Sequence, residues 1–115
     1  MPLLKMQVSV SVPDDKRAKL LTEASRVLAE ITGKPEKYVM VVLESCDILM
    51  SGTAGASAFL DVRGIGGLTK PVNGKLTKAL CDLLLQELAI APTRVYATFT
   101  DVPATNWGCN GTTFG

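Results

Sequence analysis

The sequence predicts an α/β (α+β) fold in which two β-α-β units form a four-stranded mixed sheet with two helices on one face. Three observations predict it. Two stretches alternate apolar and polar residues, each is followed by apolar residues at helical spacing, and each helical stretch leads to another strand-like run. A shift of about 57 positions superimposes Pro35 on Pro92, as expected for a duplicated unit. The length of 115 residues indicates a single domain, residues 1–115.

The first unit begins almost at the N-terminus. Residues 3–10 alternate with period two, which predicts a half-buried strand. Pro13 and the two aspartates after it predict a helix start. Gly33 and Pro35 predict the helix end, because glycine adopts the left-handed cap conformation and proline cannot continue a helix. The apolar run Tyr38–Leu43 is consistent with a strand buried on both faces.

The second unit repeats this plan. Ala58–Arg63 alternate and predict a third strand, and the glycine-rich turn Gly64–Gly67 leads to a second helix. The leucines of this helix have helical spacing: Leu76, Leu80, Leu83, Leu84 and Leu88. Val95–Thr100 alternate again and predict the fourth strand. Right-handed crossovers place both helices on one face of the sheet.

The other face of the sheet has no layer to cover it. Its central strand carries apolar residues that point both ways, and an exposed apolar face needs a partner. We therefore predict a homo-oligomer. The alternative is that the tail, Val102–Gly115, folds over this face, but the tail is short and polar.

Composition excludes several functional classes. The net charge of +1 is dispersed, so no nucleic-acid-binding face is expected. No stretch approaches the roughly 18 consecutive apolar residues of a membrane helix, and the N-terminus lacks a signal-peptide pattern. The cytoplasm is therefore the expected compartment. Cys46, Cys81 and Cys109 are too widely spaced to suggest a metal site or a disulfide framework, and we expect no metal and no cofactor.

The chain contains no histidine. This absence excludes a Ser-His or Cys-His nucleophile and an imidazole general base. An enzyme with this sequence must therefore move protons with another group.

Pro2 is the first candidate for that group. Removal of Met1, which is usual before so small a residue, leaves a secondary amine. An α-amino group titrates near pH ~8, and burial in an apolar pocket lowers its pKa further. A neutral amine can then act as a base at physiological pH. Met-Pro is also a common way to begin a protein, so the dipeptide alone does not show that Pro2 is catalytic.

Five short motifs extend this argument to the whole chain. They are Met1–Leu4, Thr32–Pro35 with Tyr38–Met40, Gly64–Leu68, Arg94–Tyr96 and Asn110–Phe114. Together they resemble the macrophage migration inhibitory factor family of the tautomerase superfamily. The resemblance implies a homotrimer whose sheets surround a central channel, with active sites at the subunit interfaces. It also implies tautomerase activity on substrates such as phenylpyruvate, hydroxyphenylpyruvate and dopachrome.

The resemblance gives roles to three residues of the reaction centre. Pro2 is the acid–base, Lys34 receives the substrate carboxylate, and the backbone N–H of Ile65 helps to hold it. Without the resemblance, Lys34 is an exposed cation near a helix C-terminus and Ile65 an ordinary apolar residue of a turn.

Four further residues are implied in substrate binding. Tyr96 matches an aromatic residue from the neighbouring subunit, and Thr98 stands where the best-known members carry asparagine, so it reaches less far. Trp107 and Phe114 lie in the tail that lines the family pocket, with packing at a subunit contact as their alternative role. Cys109 stands where tryptophan is usual. These departures predict an altered substrate preference.

The leading prediction is a keto–enol tautomerase that acts on an α-keto or enol acid. One alternative is a cytokine-like signalling protein that is secreted by a non-classical route and binds a receptor. Another is hydration, decarboxylation or dehalogenation, for which Arg63 and Asp61 are the only nearby additional groups. Thiol–disulfide exchange is not expected, because Ser57–Leu60 lacks the C-x-x-C that some members carry.

Overall fold

The computed structural model describes residues 1–115 and contains the two predicted β-α-β units. The first comprises β1 (Leu3–Val8), α1 (Asp14–Thr32) and β2 (Met40–Ser45), and the second comprises β3 (Ala58–Gly64), α2 (Lys70–Leu88) and β4 (Val95–Asp101). A small hairpin in the tail is formed by β5 (Gly108–Cys109) and β6 (Thr112–Thr113).

The four long strands form one mixed sheet in the order β2-β1-β3-β4. Within each unit the two strands are parallel, and the units meet through the antiparallel pair β1–β3. Both helices cover the same face, where the inward residues of β1 and β3 pack on α1 and α2. The fully buried members of this core include Leu4, Met6, Leu60, Val62, Leu20, Leu28, Leu76, Leu80 and Leu84. The predicted fold class is confirmed.

The ends of α1 follow from local chemistry. Asp14 and Asp15 lie in its first turn, where negative charge interacts favourably with the helix dipole. Gly33 ends the helix in the left-handed conformation, with φ +71°, and its N–H donates to the Ala29 carbonyl at 3.0 Å. The chain therefore turns sharply just before Lys34.

The prediction that Tyr38–Leu43 is a strand buried on both faces is wrong. Tyr38 belongs to a single 3₁₀ turn, and β2 is an edge strand that begins at Met40. Val41 and Leu43 face the helices, whereas Met40 on the opposite face is 62% exposed. The apolar run reflects two different surroundings: a core on one side and an uncovered face on the other.

The uncovered face differs from the apolar face that the sequence suggested. Its three rows across the sheet are Met40–Leu3–Arg63–Thr100, Val42–Lys5–Asp61–Thr98 and Glu44–Gln7–Phe59–Tyr96. Lys5 pairs with Glu44 at 3.4 Å and Arg63 with Asp61 at 3.2 Å. Apolar side chains are therefore confined to two opposite corners. One corner is formed by Leu3, Met40 and Val42, and the other by Phe59 and Tyr96.

The tail leaves most of this face uncovered and lies only beside its Leu3–Met40 corner. Its hairpin packs mainly on the tail itself, and its last residues are exposed. Tyr96, at the corner of the face farthest from β2, stays 68% exposed.

Arg94 fixes the start of β4. Its guanidinium donates to the Ser57 hydroxyl at 3.0 Å, to the Thr53 carbonyl at 3.0 Å and to the Met50 carbonyl at 3.2 Å. These bonds connect the loop before β3 to the residue that precedes β4, which gives Arg94 a structural role.

Two global features bear on function. Neither helix combines the length and the apolarity needed to cross a bilayer. No group of three or more histidine, cysteine, aspartate or glutamate side chains is arranged to hold a metal ion.

Candidate active site

Pro2 is buried at the beginning of β1. Its carbonyl accepts a hydrogen bond from the Met40 N–H at 3.1 Å, next to the Leu3–Met40 pair of the β1–β2 ladder. A proline suits this place because it needs no acceptor for a backbone N–H. Pro2, the second residue of the chain, is therefore held by strand pairing, unlike most residues near a chain terminus.

Lys34 lies beside Pro2. The two residues line a small cleft together with Met1, Thr32, Gly64, Gly66 and Leu68. The Lys34 Nζ donates to the Ile65 carbonyl at 3.0 Å, which holds the ammonium group against the turn after β3. A Cβ atom at Gly67 would lie only 3.3 Å from the Lys34 Cε. The glycine turn thus leaves room for the lysine stem.

The Ile65 backbone N–H donates to no acceptor in the chain, whereas the next N–H, that of Gly66, donates to Asp101 Oδ1 at 2.7 Å. Asp101 ends β4 and so holds the turn that follows the parallel strand β3. The Lys34 ammonium is bound to the carbonyl of Ile65, and the free N–H belongs to the same residue. Both groups are hydrogen-bond donors of the kind that binds a carboxylate.

The pKa of the Met1 amino group shows how this cleft acts on a positive charge. Burial, and secondarily the charge of Lys34, lower the pKa of the Met1 amino group below its ordinary value of 8.0. Both influences disfavour a positive charge at the N-terminus.

A second cavity, of about 370 Å³, adjoins the cleft. Its walls are mostly apolar and include Met1, Leu3, Tyr38, Met40, Trp107 and Phe114. The Phe114 N–H donates to the Trp107 carbonyl at 3.1 Å. The hairpin turn between them contains Asn110 and Gly111 at positive φ (51° and 78°), so the chain reverses and both aromatic residues reach one cavity. Met1 lines both cavities and separates them.

Tyr96 and Thr98 are not near Pro2 in the same chain. Tyr96 is level with Phe59 and Gln7 on the uncovered face. Tyr96 is therefore separated from Pro2 by about 16 Å along the strands and about 10 Å across them. One chain therefore places Pro2, Lys34, Ile65, Trp107 and Phe114 in one region. Tyr96 lies at the other end of the sheet, and Thr98 lies midway along the strands on the far edge strand.

Arg63 and Asp61 lie on the uncovered face and pair with each other at 3.2 Å. Each side chain therefore neutralises much of the charge of the other. The hydration or dehalogenation alternative would need that charge in the active site. Neither residue lines the cleft of Pro2 or the apolar cavity.

Sequence reasoning missed Asp101, Tyr38 and Met40. Asp101 had a usable signal, because the carboxyl ends of neighbouring parallel strands meet at one edge of a sheet. Tyr38 and Met40 belong to one of the five motifs, but they were assigned to a buried strand and given no role in the site. Cys109, which stands where tryptophan is expected from the resemblance, also lines the apolar cavity. This substitution therefore lies at the candidate site.

Comparison with known proteins extends over the whole chain. The profile of the family described as macrophage migration inhibitory factor (MIF) matches residues 1–115. The chain is 36% identical to the macrophage migration inhibitory factor of Xenopus laevis over 118 aligned positions, covering 99% of each sequence.

Two solved structures share the fold closely. A macrophage migration inhibitory factor homologue from Prochlorococcus marinus is 39% identical with a TM-score of 0.93, and the match covers 98% of this chain and 99% of that one. A macrophage migration inhibitory factor-like protein from Entamoeba histolytica is 28% identical with a TM-score of 0.94, over 98% of each chain. Sequence and fold thus agree from end to end.

Proposed function

Because the chain belongs to the macrophage migration inhibitory factor family, we propose that it is a keto–enol tautomerase that uses Pro2 as its acid–base after removal of Met1. Family membership supports an isomerase of the tautomerase type in general. The finer assignment depends on one observation: the buried Pro2 shares a cleft with Lys34, whose ammonium is held at Ile65, a residue of the adjoining turn with an unpaired N–H.

The donors of the cleft bind the carboxylate of an α-keto or enol acid. The Lys34 ammonium has three N–H donors, and one of them is used on the Ile65 carbonyl. The remaining donors and the Ile65 N–H are free for the substrate. A charge-assisted bond of this kind contributes about 1.5–3 kcal/mol.

Pro2 moves the proton. With Met1 removed, the Pro2 nitrogen is a secondary amine in the surroundings that lower the pKa of the Met1 amino group. The neutral amine takes the enol hydroxyl proton, the oxygen lone pair forms the carbonyl, and the electron pair of the carbon–carbon double bond moves to C3. The resulting ammonium then gives its proton to C3, which regenerates the amine.

The apolar cavity accommodates the substrate side chain. Its volume of about 370 Å³ lies within the usual range of small-molecule sites, and the aromatic rings of Trp107 and Phe114 suit an aromatic side chain. Phenylpyruvate, hydroxyphenylpyruvate and dopachrome are therefore the proposed test substrates.

Assembly would complete the site. The two apolar corners of the uncovered face differ in composition and lie at opposite ends of a diagonal. They suit a head-to-tail contact, which closes into a ring. Such a contact would bring Tyr96 and Thr98 of one subunit towards Pro2 of the next. We propose a homotrimer on this basis.

A Pro2→Gly variant tests the mechanism. Glycine also allows removal of Met1 but replaces the secondary amine with a primary one. We expect a loss of about 10²–10⁴-fold in phenylpyruvate turnover with an unchanged circular dichroism spectrum. Mass spectrometry of the N-terminus of both proteins is the control. Full activity in Pro2→Gly, or in a parent protein that retains Met1, would refute the role of Pro2.

A signalling role remains an alternative prediction. The relatives are named for inhibition of macrophage migration, but no surface of this chain provides a specific argument for a receptor. Binding to a receptor with the Pro2 cleft blocked would favour that alternative.

A further inference from the structure

The apolar cavity beside Pro2 has one charged side chain in its wall, that of Lys37. Its ammonium nitrogen lies 5.0 Å from the centroid of the Tyr38 ring, which also lines the cavity. A cation in this arrangement is held over the ring face by the ring quadrupole. Lys37 is therefore positioned at the cavity wall by its neighbour in sequence.

The charge of Lys37 is not neutralised. Four other lysines pair with a carboxylate within 4.0 Å, namely Lys5, Lys16, Lys19 and Lys78, but Lys37 does not. The adjacent carboxylate of Glu36 instead accepts a hydrogen bond from the Ser25 hydroxyl at 2.8 Å. The cavity thus contains a cation that lacks an anionic partner.

Lys37 and Lys34 belong to different ends of the candidate site. Lys34 lines the cleft of Pro2, Lys37 lines the apolar cavity, and Met1 separates the two spaces. Removal of Met1 would join them. A substrate whose carboxylate binds at Lys34 would then extend its side chain between apolar walls towards Lys37.

We propose that Lys37 is a specificity-determining residue, which makes the site prefer α-keto or enol acids with a second negative charge at the far end of the side chain. This inference depends on the proposed function. Lys37 acts on binding of the distal group and does not take part in the proton transfer at Pro2. The attraction is electrostatic at a partly exposed site, so it weakens as the salt concentration rises.

The test compares phenylpyruvate with 4-carboxyphenylpyruvate, which adds a carboxylate to the ring. The proteins are the parent, Lys37→Gln, and Lys75→Gln as a control that removes another unpaired, exposed lysine outside the cavity. We expect Lys37→Gln to lower kcat/KM for 4-carboxyphenylpyruvate about fivefold and to change that for phenylpyruvate less than about twofold. Lys75→Gln should change neither, and added salt should reduce the preference of the parent.

Equal effects of Lys37→Gln on both substrates, or no effect on either, would overturn the proposal. Its failure is distinguishable from that of the proposed function. If the parent converts neither compound, the tautomerase assignment fails, and calorimetric binding of the two compounds to the parent and to Lys37→Gln still decides the role of Lys37. Absence of tighter binding of the dicarboxylate to the parent would then overturn it.

Discussion

At the scale of single residues, the geometry of Lys34 is fixed on both sides by backbone chemistry. Gly33 reverses the chain in the left-handed region and Pro35 restricts the residue before it to an extended conformation. The side chain then spans the glycine turn to reach the Ile65 carbonyl. A lysine at the end of a helix is common. Lys34 differs from most because it also contacts a turn that is distant in sequence.

Lys34→Gln should weaken substrate binding and shift the pH dependence. The loss of a charged donor to the carboxylate should lower kcat/KM for phenylpyruvate by roughly 10- to 100-fold, mainly through KM. The charge of Lys34 lowers the pKa of the N-terminal amino group, so its removal should raise the pKa of the Pro2 amine. The amine acts in its neutral form, and the acid limb of the kcat/KM profile should move to higher pH.

Lys34→Arg is the matched control for this prediction, because it keeps the charge and changes the shape of the donor. We expect it to preserve the acid limb while binding stays weakened. An acid limb that does not move in Lys34→Gln would contradict an electrostatic influence on Pro2.

At the scale of elements, α1 and α2 are joined by a charged contact as well as by their leucines. Glu87 of α2 is almost fully buried, with a side chain 3% exposed, and it lies 3.2 Å from the Lys16 Nζ and 3.1 Å from the Lys19 Nζ of α1. Hydrogen bonds from Lys19 and then Lys16 hold the pKa of Glu87 below its ordinary value of 4.5. Two cations from one helix thus hold one carboxylate of the other.

Glu87→Gln should lower the melting temperature at pH 7 by a few degrees, because the two lysines lose their anionic partner. The pKa of Glu87 is depressed in the folded state, so its stabilisation is full above the unfolded pKa of 4.5 and is lost as the pH falls through the folded value. The difference between the parent and the variant should therefore shrink in acid.

Asp82→Asn is the control, since it removes an exposed carboxylate from the same helix and its pair with Lys78. Such exposed pairs contribute about 0–1 kcal/mol, so little change is expected. Thermal unfolding followed by circular dichroism at pH 7 and in acid measures both effects. A Glu87→Gln protein as stable as the parent at pH 7 would contradict the stabilising contact.

Individual elements also show how far sequence patterns extend. The strands β1, β3 and β4 were predictable because period-two alternation reports one buried and one open face. The edge strand β2 was misread because its apolar residues face both a core and an open surface, and periodicity cannot distinguish an uncovered apolar face from a buried one. Asp101 was missed because its hydrogen-bond partner, the Gly66 N–H, lies in the turn after a neighbouring strand and is distant in sequence.

At the scale of the whole molecule, the uncovered face is divided between charges and apolar corners. The charged pairs between the apolar corners, Lys5–Glu44 and Arg63–Asp61, remain compatible with water. The exposed Met40 and Tyr96 at opposite corners need cover. This arrangement is the basis of the homotrimer proposed above.

Subunit mixing tests this assembly. Tyr96→Ala and Pro2→Gly should each lower phenylpyruvate turnover when expressed alone. In mixed trimers, a Pro2 from one variant can meet a Tyr96 from the other, and random mixing restores about a quarter of the sites. Leu85→Ala, which truncates an exposed apolar residue of α2, should be active alone. Sedimentation measures the oligomeric state, and mixed samples no more active than the separate variants would contradict a shared site.

The sequence by itself determined the duplicated β-α-β plan, the faces that β1, β3 and β4 bury, and the start and end of α1. In a chain without histidine it also made Pro2 the candidate for the group that moves a proton. These features depend on local sterics and periodicity, which act over a few residues. Only the tertiary structure decided that Lys34 reaches Ile65, that Met1 lines both the cleft of Pro2 and the apolar cavity, and that Tyr96 lies far from Pro2. Those relations depend on strand order and register, because residues distant in the chain meet only where packing brings their elements together.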